Sequence, residues 1–172
     1  MNSPRVILIG PPGAGKTTVG KALAKKLLCN FADTDRLIEG KAGRKISEIF
    51  VESGEQVFRN LESEVLKESL NDFDGVLALG GGAPISSENQ ALIGSTNSAV
   101  VFLEVSISQA ANRVGFNRER PLLLVNPRQQ WQELMNARRP IYEKLADFKI
   151  STDSVKPQEV AEQIKKFLEG NK

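Results

Sequence analysis

The 172-residue chain predicts a three-layer α/β sandwich, with a central, mostly parallel sheet of about five strands covered by helices on both faces. Three observations predict it. Short apolar runs alternate with stretches of helical periodicity along the whole chain, the pattern of successive strand-helix-strand units. The first run, Val6-Ile7-Leu8-Ile9, leads directly into Gly10-Pro11-Pro12-Gly13-Ala14-Gly15-Lys16-Thr17 and then into a helix-like stretch, so a G-x-x-x-x-G-K-T phosphate-binding loop (P-loop) has the strand and helix it requires. Two later runs end in aspartates or glycines, residue types suited to the carboxyl edge of an open α/β sheet, where ligands bind.

The glycines of the P-loop let the backbone turn several N–H groups toward a phosphate chain, and the following helix adds the partial positive charge of its N-terminus. Gly13, Ala14, Gly15, Lys16, Thr17 and Thr18 are therefore candidate nucleotide-binding residues. Lys16 is expected to reach the outer phosphates and the Thr17 hydroxyl to ligate magnesium. Val19, Leu23 and Leu27 mark the buried stripe of this first helix.

Cys29-Asn30-Phe31-Ala32 reads as a short second strand running into Asp33-Thr34-Asp35. Both aspartates then face the phosphate site, Asp33 to hold magnesium and Asp35 to meet a substrate hydroxyl. The alternative is that one of them only N-caps a helix over 36–41. Residues 45–50 predict a short helix, and after Gly54 a longer one over 55–70 carries Val57, Leu61 and Val65 on one face. Arg59 lies off that stripe, where pairing with Glu55 or Glu62 on the helix surface would account for it.

Gly75-Val76-Leu77-Ala78-Leu79 is a continuous apolar run, as a central parallel strand should be, and it ends in Gly80-Gly81-Gly82-Ala83-Pro84. Three glycines there allow a ligand to approach the backbone. A further strand is expected over 98–105, a helix over 108–113 and a last strand over 148–151. The closing helix has Pro157 in its first turn, Val160, Ile164, Phe167 and Leu168 on one face, and Gly170 at its end.

Between Arg113 and Arg139 lie Arg113, Arg118, Arg120, Arg128, Arg138 and Arg139, with no lysine and only Glu119 and Glu133 against them. Arginine without lysine suggests forked binding of phosphate or carboxylate oxygens. The segment 114–121, between two helices, reads as a flap carrying Arg120 that closes over a nucleotide and expels water. Arg139, just before Pro140, reads as solvated. An oligonucleotide groove is disfavoured because only Phe116 and Trp131 interleave with the charges.

Composition narrows the function classes. Residues 1–172 are expected to form one domain. A hydrophobic content of 40% with 26% charged residues is that of an ordinary globule, and a net charge of +2 is too small to call for a nucleic-acid or membrane partner. Cys29 is the single cysteine, which excludes an internal disulfide and fits a reducing compartment. No apolar run is long enough to cross a bilayer, and no room precedes the first strand for a targeting peptide, so a cytoplasmic location is expected. The chain has no histidine, so acid–base chemistry falls to a carboxylate, a lysine or water, and a His/Cys zinc site is excluded.

With these residues assembled, the chain resembles the shikimate kinases over essentially its whole length. The resemblance rests on an ordered set: the P-loop, Asp33-Thr34-Asp35, Phe58-Arg59 preceded by Gly54-Glu55, Gly80-Gly81-Gly82-Ala83, Arg120-Pro121-Leu122-Leu123, and Arg138 ahead of Pro140-Ile141-Tyr142. It implies the nucleoside-monophosphate-kinase-like P-loop NTP kinase fold, with a lid over about 114–126 and a shikimate-binding helical region over about 34–62. It implies ATP as phosphoryl donor, the 3-hydroxyl of shikimate as acceptor, and a step toward chorismate and the aromatic amino acids.

By the same resemblance Asp35 meets the reacting hydroxyl, Arg59 and Arg138 grip the shikimate carboxylate, Gly81 and Gly82 line the substrate floor, and Arg120 contacts the phosphates. Lys16, Asp35 and Arg120 form the implied catalytic set, Thr17 and Asp33 the magnesium site, and Arg113 and Pro157 the adenine site. Two forked guanidiniums opposite a carboxylate give Arg59 a role beyond surface pairing. One departure concerns the base: the family often has an arginine just before the position of Pro157, where this chain has Val155 and Lys156. The partners expected are ATP and shikimate, acting on a monomer. Two competing readings are a kinase for another small hydroxy acid such as gluconate, and a non-catalytic nucleotide-binding module. A regulatory GTPase is disfavoured by the absence of an Asn-Lys-x-Asp run.

Overall fold

The computed structural model describes residues 2–114 and 126–171. Five strands form one sheet: β1 (Val6–Ile9), β2 (Asn30–Asp33), β3 (Gly75–Ala78), β4 (Ala99–Glu104) and β5 (Phe148–Ser151). Their order is β2-β3-β1-β4-β5 and every pairing is parallel. All four residues of β1 and of β3 are buried. Side chains alternate between the two faces of a strand, so both faces must be covered, and unbroken apolar runs are the result. The chain leaves β1 first toward β2 and β3 and later toward β4, which opens a crevice at the carboxyl end of β1.

The helices are α1 (Lys16–Leu27), α2 (Thr34–Ala42), α3 (Ile46–Ser53), α4 (Glu55–Asp72), α5 (Ser87–Gly94), α6 (Ile107–Val114), α7 (Pro127–Leu145) and α8 (Pro157–Gly170). The main core gathers β1, β3 and β4 with residues of α1, α4, α7 and α8. A second, smaller cluster joins Ile38 of α2, Ile49 of α3 and Phe58 and Val65 of α4. The Phe50 and Phe58 rings meet there with centroids 4.8 Å apart. Among the described residues no helix is long and apolar enough to cross a membrane.

Three elements differ from the sequence reading. Helix α2 starts at Thr34, two residues early, because the Asp33 carboxylate caps it by accepting the Asp35 N–H at 2.9 Å. The stripe assigned to α4 is rotated: Phe58, Glu62, Val65, Leu66, Ser69 and Leu70 are buried, Leu61 is half-buried, and Val57 is 39% exposed. That helix faces two clusters along its length, so no single stripe describes it. Helix α5 was not predicted; only Asn89 and Ile93 of it are buried, and such a pattern has no helical period to detect.

Candidate active site

The P-loop is fixed by conformations that favour glycine. Gly10 has φ 148°, and a Cβ there would stand 2.5 Å from the Leu103 carbonyl oxygen. Gly13 and Gly15 lie at φ 83° and 88°, in the left-handed region. Gly15 is the N-cap of α1 and has no side chain to cap it, which leaves the first N–H groups of the helix without a side-chain partner. Three side chains from elsewhere hold the loop by its carbonyl oxygens. Trp131 Nε1 donates to Pro12 O at 3.1 Å, Arg113 Nη1 to Gly13 O at 3.2 Å and Thr152 Oγ1 to Ala14 O at 2.8 Å. Lys16 Nζ donates to Gly10 O at 2.7 Å and Pro11 O at 2.9 Å, bringing its ammonium back across the loop.

Beside the loop, Thr17 Oγ1 donates to Asp33 Oδ2 at 2.8 Å, while the other Asp33 oxygen caps α2. Asp33 thus caps a helix, as one sequence reading had it, and also faces the P-loop threonine. The buried Thr34 hydroxyl accepts the Gly80 N–H at 3.0 Å and ties the end of β2 to the end of β3. Asp35 lies directly against Gly80, where any Cβ would overlap its carboxylate.

A cavity of about 280 Å³ opens next to the P-loop, bounded by Pro12, Asp35, Arg59, Glu62, Gly82 and Arg138. Arg59 reaches it from α4, is 26% exposed, and makes the pairs with Glu55 and Glu62 that its spacing suggested. Its Nη1 donates to Glu62 Oε1 at 2.8 Å, its Nε lies 3.5 Å from Glu55, and its Cζ lies 5.2 Å from the Phe58 ring centroid. Glu62 is only 3% exposed. Burial pushes its carboxyl above the ordinary range; Arg59 pulls it down, Asp35 adds to the rise and Arg138 opposes it.

Arg138, Trp131, Met135 and Tyr142 form the buried face of α7. Arg138 is 9% exposed, and its Nη1 is 3.4 Å from where a Cβ on Gly81 would stand. One turn along the helix, Tyr142 Oη donates to Gly81 O at 2.6 Å. Arg139 is not simply solvated, because it pairs with Glu104 at the end of β4 and approaches Glu143 at 3.6 Å.

The remaining candidates lie farther along the P-loop or outside the described residues. Arg113 donates from Nη1 to Thr152 Oγ1 at 2.8 Å and from Nη2 to Thr152 O at 2.5 Å. Pro157 is the first residue of α8 and half-buried, with Lys156 exposed at the N-cap position. Thr18 is exposed in the first turn of α1. Arg120 and nearly all of the flap expected over 114–126 lie outside the described residues.

Four residues had no role at the site assigned from the sequence: Trp131 and Thr152, Tyr142, which was named only as part of the motif after Arg138, and Glu62, which was named only as a helix-surface partner of Arg59. For Glu62 a signal existed in its i+3 spacing from Arg59. Tyr142, Trp131 and Thr152 act on loops far away in sequence, and no local pattern reveals those contacts.

The chain matches the family model described as "Shikimate kinase" over residues 12–169. It is 46% identical over 162 residues to a shikimate kinase of Streptomyces coelicolor, covering 94% of each chain. It is 50% identical over 165 residues to a shikimate kinase of Thermobifida fusca, covering 96% of this chain and 95% of that one. Among solved structures it resembles the shikimate kinase of Acinetobacter baumannii in complex with shikimate, with a TM-score of 0.94 and 36% identity, covering 100% of this chain and 96% of that one. On a family match that runs from the P-loop into the last helix, the chain belongs to the shikimate kinase family.

Proposed function

We propose that this protein transfers the γ-phosphoryl group of ATP to the 3-hydroxyl of shikimate, releasing ADP and shikimate 3-phosphate. The observation that carries this reading is the cavity beside the P-loop, where two arginines and one aspartate converge on a floor of glycines. Arg59 and Arg138 bind the carboxylate of the acid as forks. Gly81 and Gly82 form the floor beneath its ring, and Asp35 orients the acceptor hydroxyl toward the phosphates.

Phosphoryl transfer depends mainly on alignment and charge neutralisation. The acceptor oxygen attacks the γ-phosphorus, the bond to the β,γ-bridging oxygen breaks so that ADP leaves, and the hydroxyl proton passes to the Asp35 carboxylate and from there to solvent. Gly13, Ala14, Gly15 and Thr18 cradle the phosphate chain. Lys16 turns from the loop carbonyls to the outer phosphates, Arg120 meets them from a lid over 114–126, and Arg113 and Pro157 hold the adenine. Thr17 and Asp33 supply a hydroxyl and a carboxylate, hard oxygen donors that suit magnesium, a cation that takes few protein ligands beside the nucleotide phosphates. A divalent cation held there would supply charge neutralisation for the nucleotide's outer phosphates. The protein works as one domain and as a monomer in the cytoplasm, with a shikimate-binding region over 34–62.

A coupled ADP-release assay with and without shikimate tests the reading. Turnover should require shikimate, vanish with EDTA and return with excess magnesium. Turnover on gluconate instead would assign another hydroxy-acid kinase, and ATP binding without turnover on either acid would assign a nucleotide-binding module.

A further inference from the structure

We infer that Thr152 is a positioning residue for the nucleotide: its buried hydroxyl fixes the plane of the Arg113 guanidinium against the P-loop, so that Arg113 presents a flat face to the base. The inference rests on the reading that Arg113 meets adenine. Thr152 follows the last residue of β5 and is 2% exposed. Its N–H donates to Glu104 O at 2.9 Å, which extends the β4–β5 ladder by one residue and holds the side chain in place.

A threonine hydroxyl has one proton to give and lone pairs to receive. The nearest acceptor for that proton is Ala14 O in the P-loop at 2.8 Å, ahead of Glu104 O at 3.3 Å. A lone pair receives Arg113 Nη1 at 2.8 Å, and the Thr152 carbonyl receives Nη2 at 2.5 Å. A third contact, from Nη1 to Gly13 O at 3.2 Å, closes the triangle onto the loop. The guanidinium is therefore gripped along its edge at two atoms of one residue, and an arginine held by its edge has its faces available for stacking. No other side chain among the described residues is hydrogen-bonded both to Arg113 and to the P-loop backbone. One hydroxyl thereby couples the part of the protein that holds phosphate to the part that holds the base.

The test compares T152V, T152S, R113A and the T152V/R113A double variant by ATP KM, shikimate KM and ADP titration calorimetry. Loss of a hydrogen bond to a charged group predicts that T152V raises the ATP KM and the ADP dissociation constant about tenfold, with the shikimate KM within about twofold of wild type. T152S, which keeps the hydroxyl, should restore nucleotide affinity, and T152V should cost clearly less once Arg113 is absent, leaving only its contact with Ala14 O to lose. An unchanged ATP KM in T152V, or full multiplication of the two single effects in the double variant, overturns the inference. If R113A leaves the ATP KM unchanged, the Arg113 reading falls and the inference with it. If R113A weakens ATP and T152V does not, only the inference falls. Should T152V fail to fold, T152A is read by the same criteria.

Discussion

The Arg59 guanidinium occupies the space that a side chain on residue 82 would need: a Cβ built on Gly82 would stand 2.8 Å from Nη2 and 2.9 Å from Cζ. The glycine is what lets the arginine lie along the cavity floor. Gly82→Ala should therefore displace Arg59 from the cavity floor, where the proposed function has it bind the acid's carboxylate, while leaving the P-loop alone. A charge-assisted hydrogen bond is worth about 1.5–3 kcal/mol, so the shikimate KM should rise at least about tenfold with little change in the ATP KM. Steady-state kinetics with each substrate varied in turn check this.

Glu62 makes the same arrangement pH-sensitive. Burial raises its carboxyl above the ordinary 4.5, with Arg59 opposing the rise. A carboxyl raised in the folded state holds its proton more tightly there than in the unfolded chain. The stability it contributes is full below about 4.5 and is lost as pH climbs through the raised value. Urea unfolding at stepped pH should show that decline in the wild type and lack it in E62Q. Superimposable pH profiles would clear Glu62 of the effect.

The Asp35 carboxylate packs against Gly80, and in the proposed mechanism it orients the acceptor hydroxyl. Asp35→Asn keeps the shape and removes the charge, so kcat should fall by about 100-fold or more while the ATP KM changes little. Near-normal turnover in this variant would remove Asp35 from the chemistry.

Tyr142→Phe removes the hydroxyl that donates to Gly81 O and leaves that carbonyl short of a donor in a buried site. The cost should be about 1–3 kcal/mol of stability by chemical denaturation. The shikimate KM should rise as well, because the glycine floor loses the tether to α7.

Trp131 is the one tryptophan of the chain and donates to the P-loop carbonyl of Pro12 at 3.1 Å. Its emission should shift when ADP and magnesium fill the loop, and shikimate alone should change it less. A signal that follows shikimate but ignores nucleotide would contradict the placement of the phosphates.

What could be read from the sequence, and what could not, divides by the range of the interactions. Gly10 to Thr17 forms a local motif, because its conformation depends on glycines inside the motif itself. The apolar runs of β1, β3 and β4 were equally plain, since strands covered on both faces must be apolar throughout. Asp33 and Asp35 could be assigned to the ligand edge from the end of a predicted strand. Val57 was misassigned because the pattern on α4 includes Glu62, a charge buried by a partner three residues away, and because the helix turns different faces to different clusters. Arg139 was read as solvated because its partner Glu104 is 35 residues distant in the chain. Thr152, Trp131 and Tyr142 hold loops whose proximity only the folded sheet creates.

Helix α4 joins the two hydrophobic clusters, with Leu66 and Leu70 in the main core and Phe58 and Val65 in the small one. Its C-terminal turns pack into the main core, and its N-terminal turns pack with α2 and α3 and bring Arg59 against Gly82. One continuous helix thus spans both clusters, so a substitution that loosened either would be transmitted along its backbone to the wall of the cavity beside the P-loop.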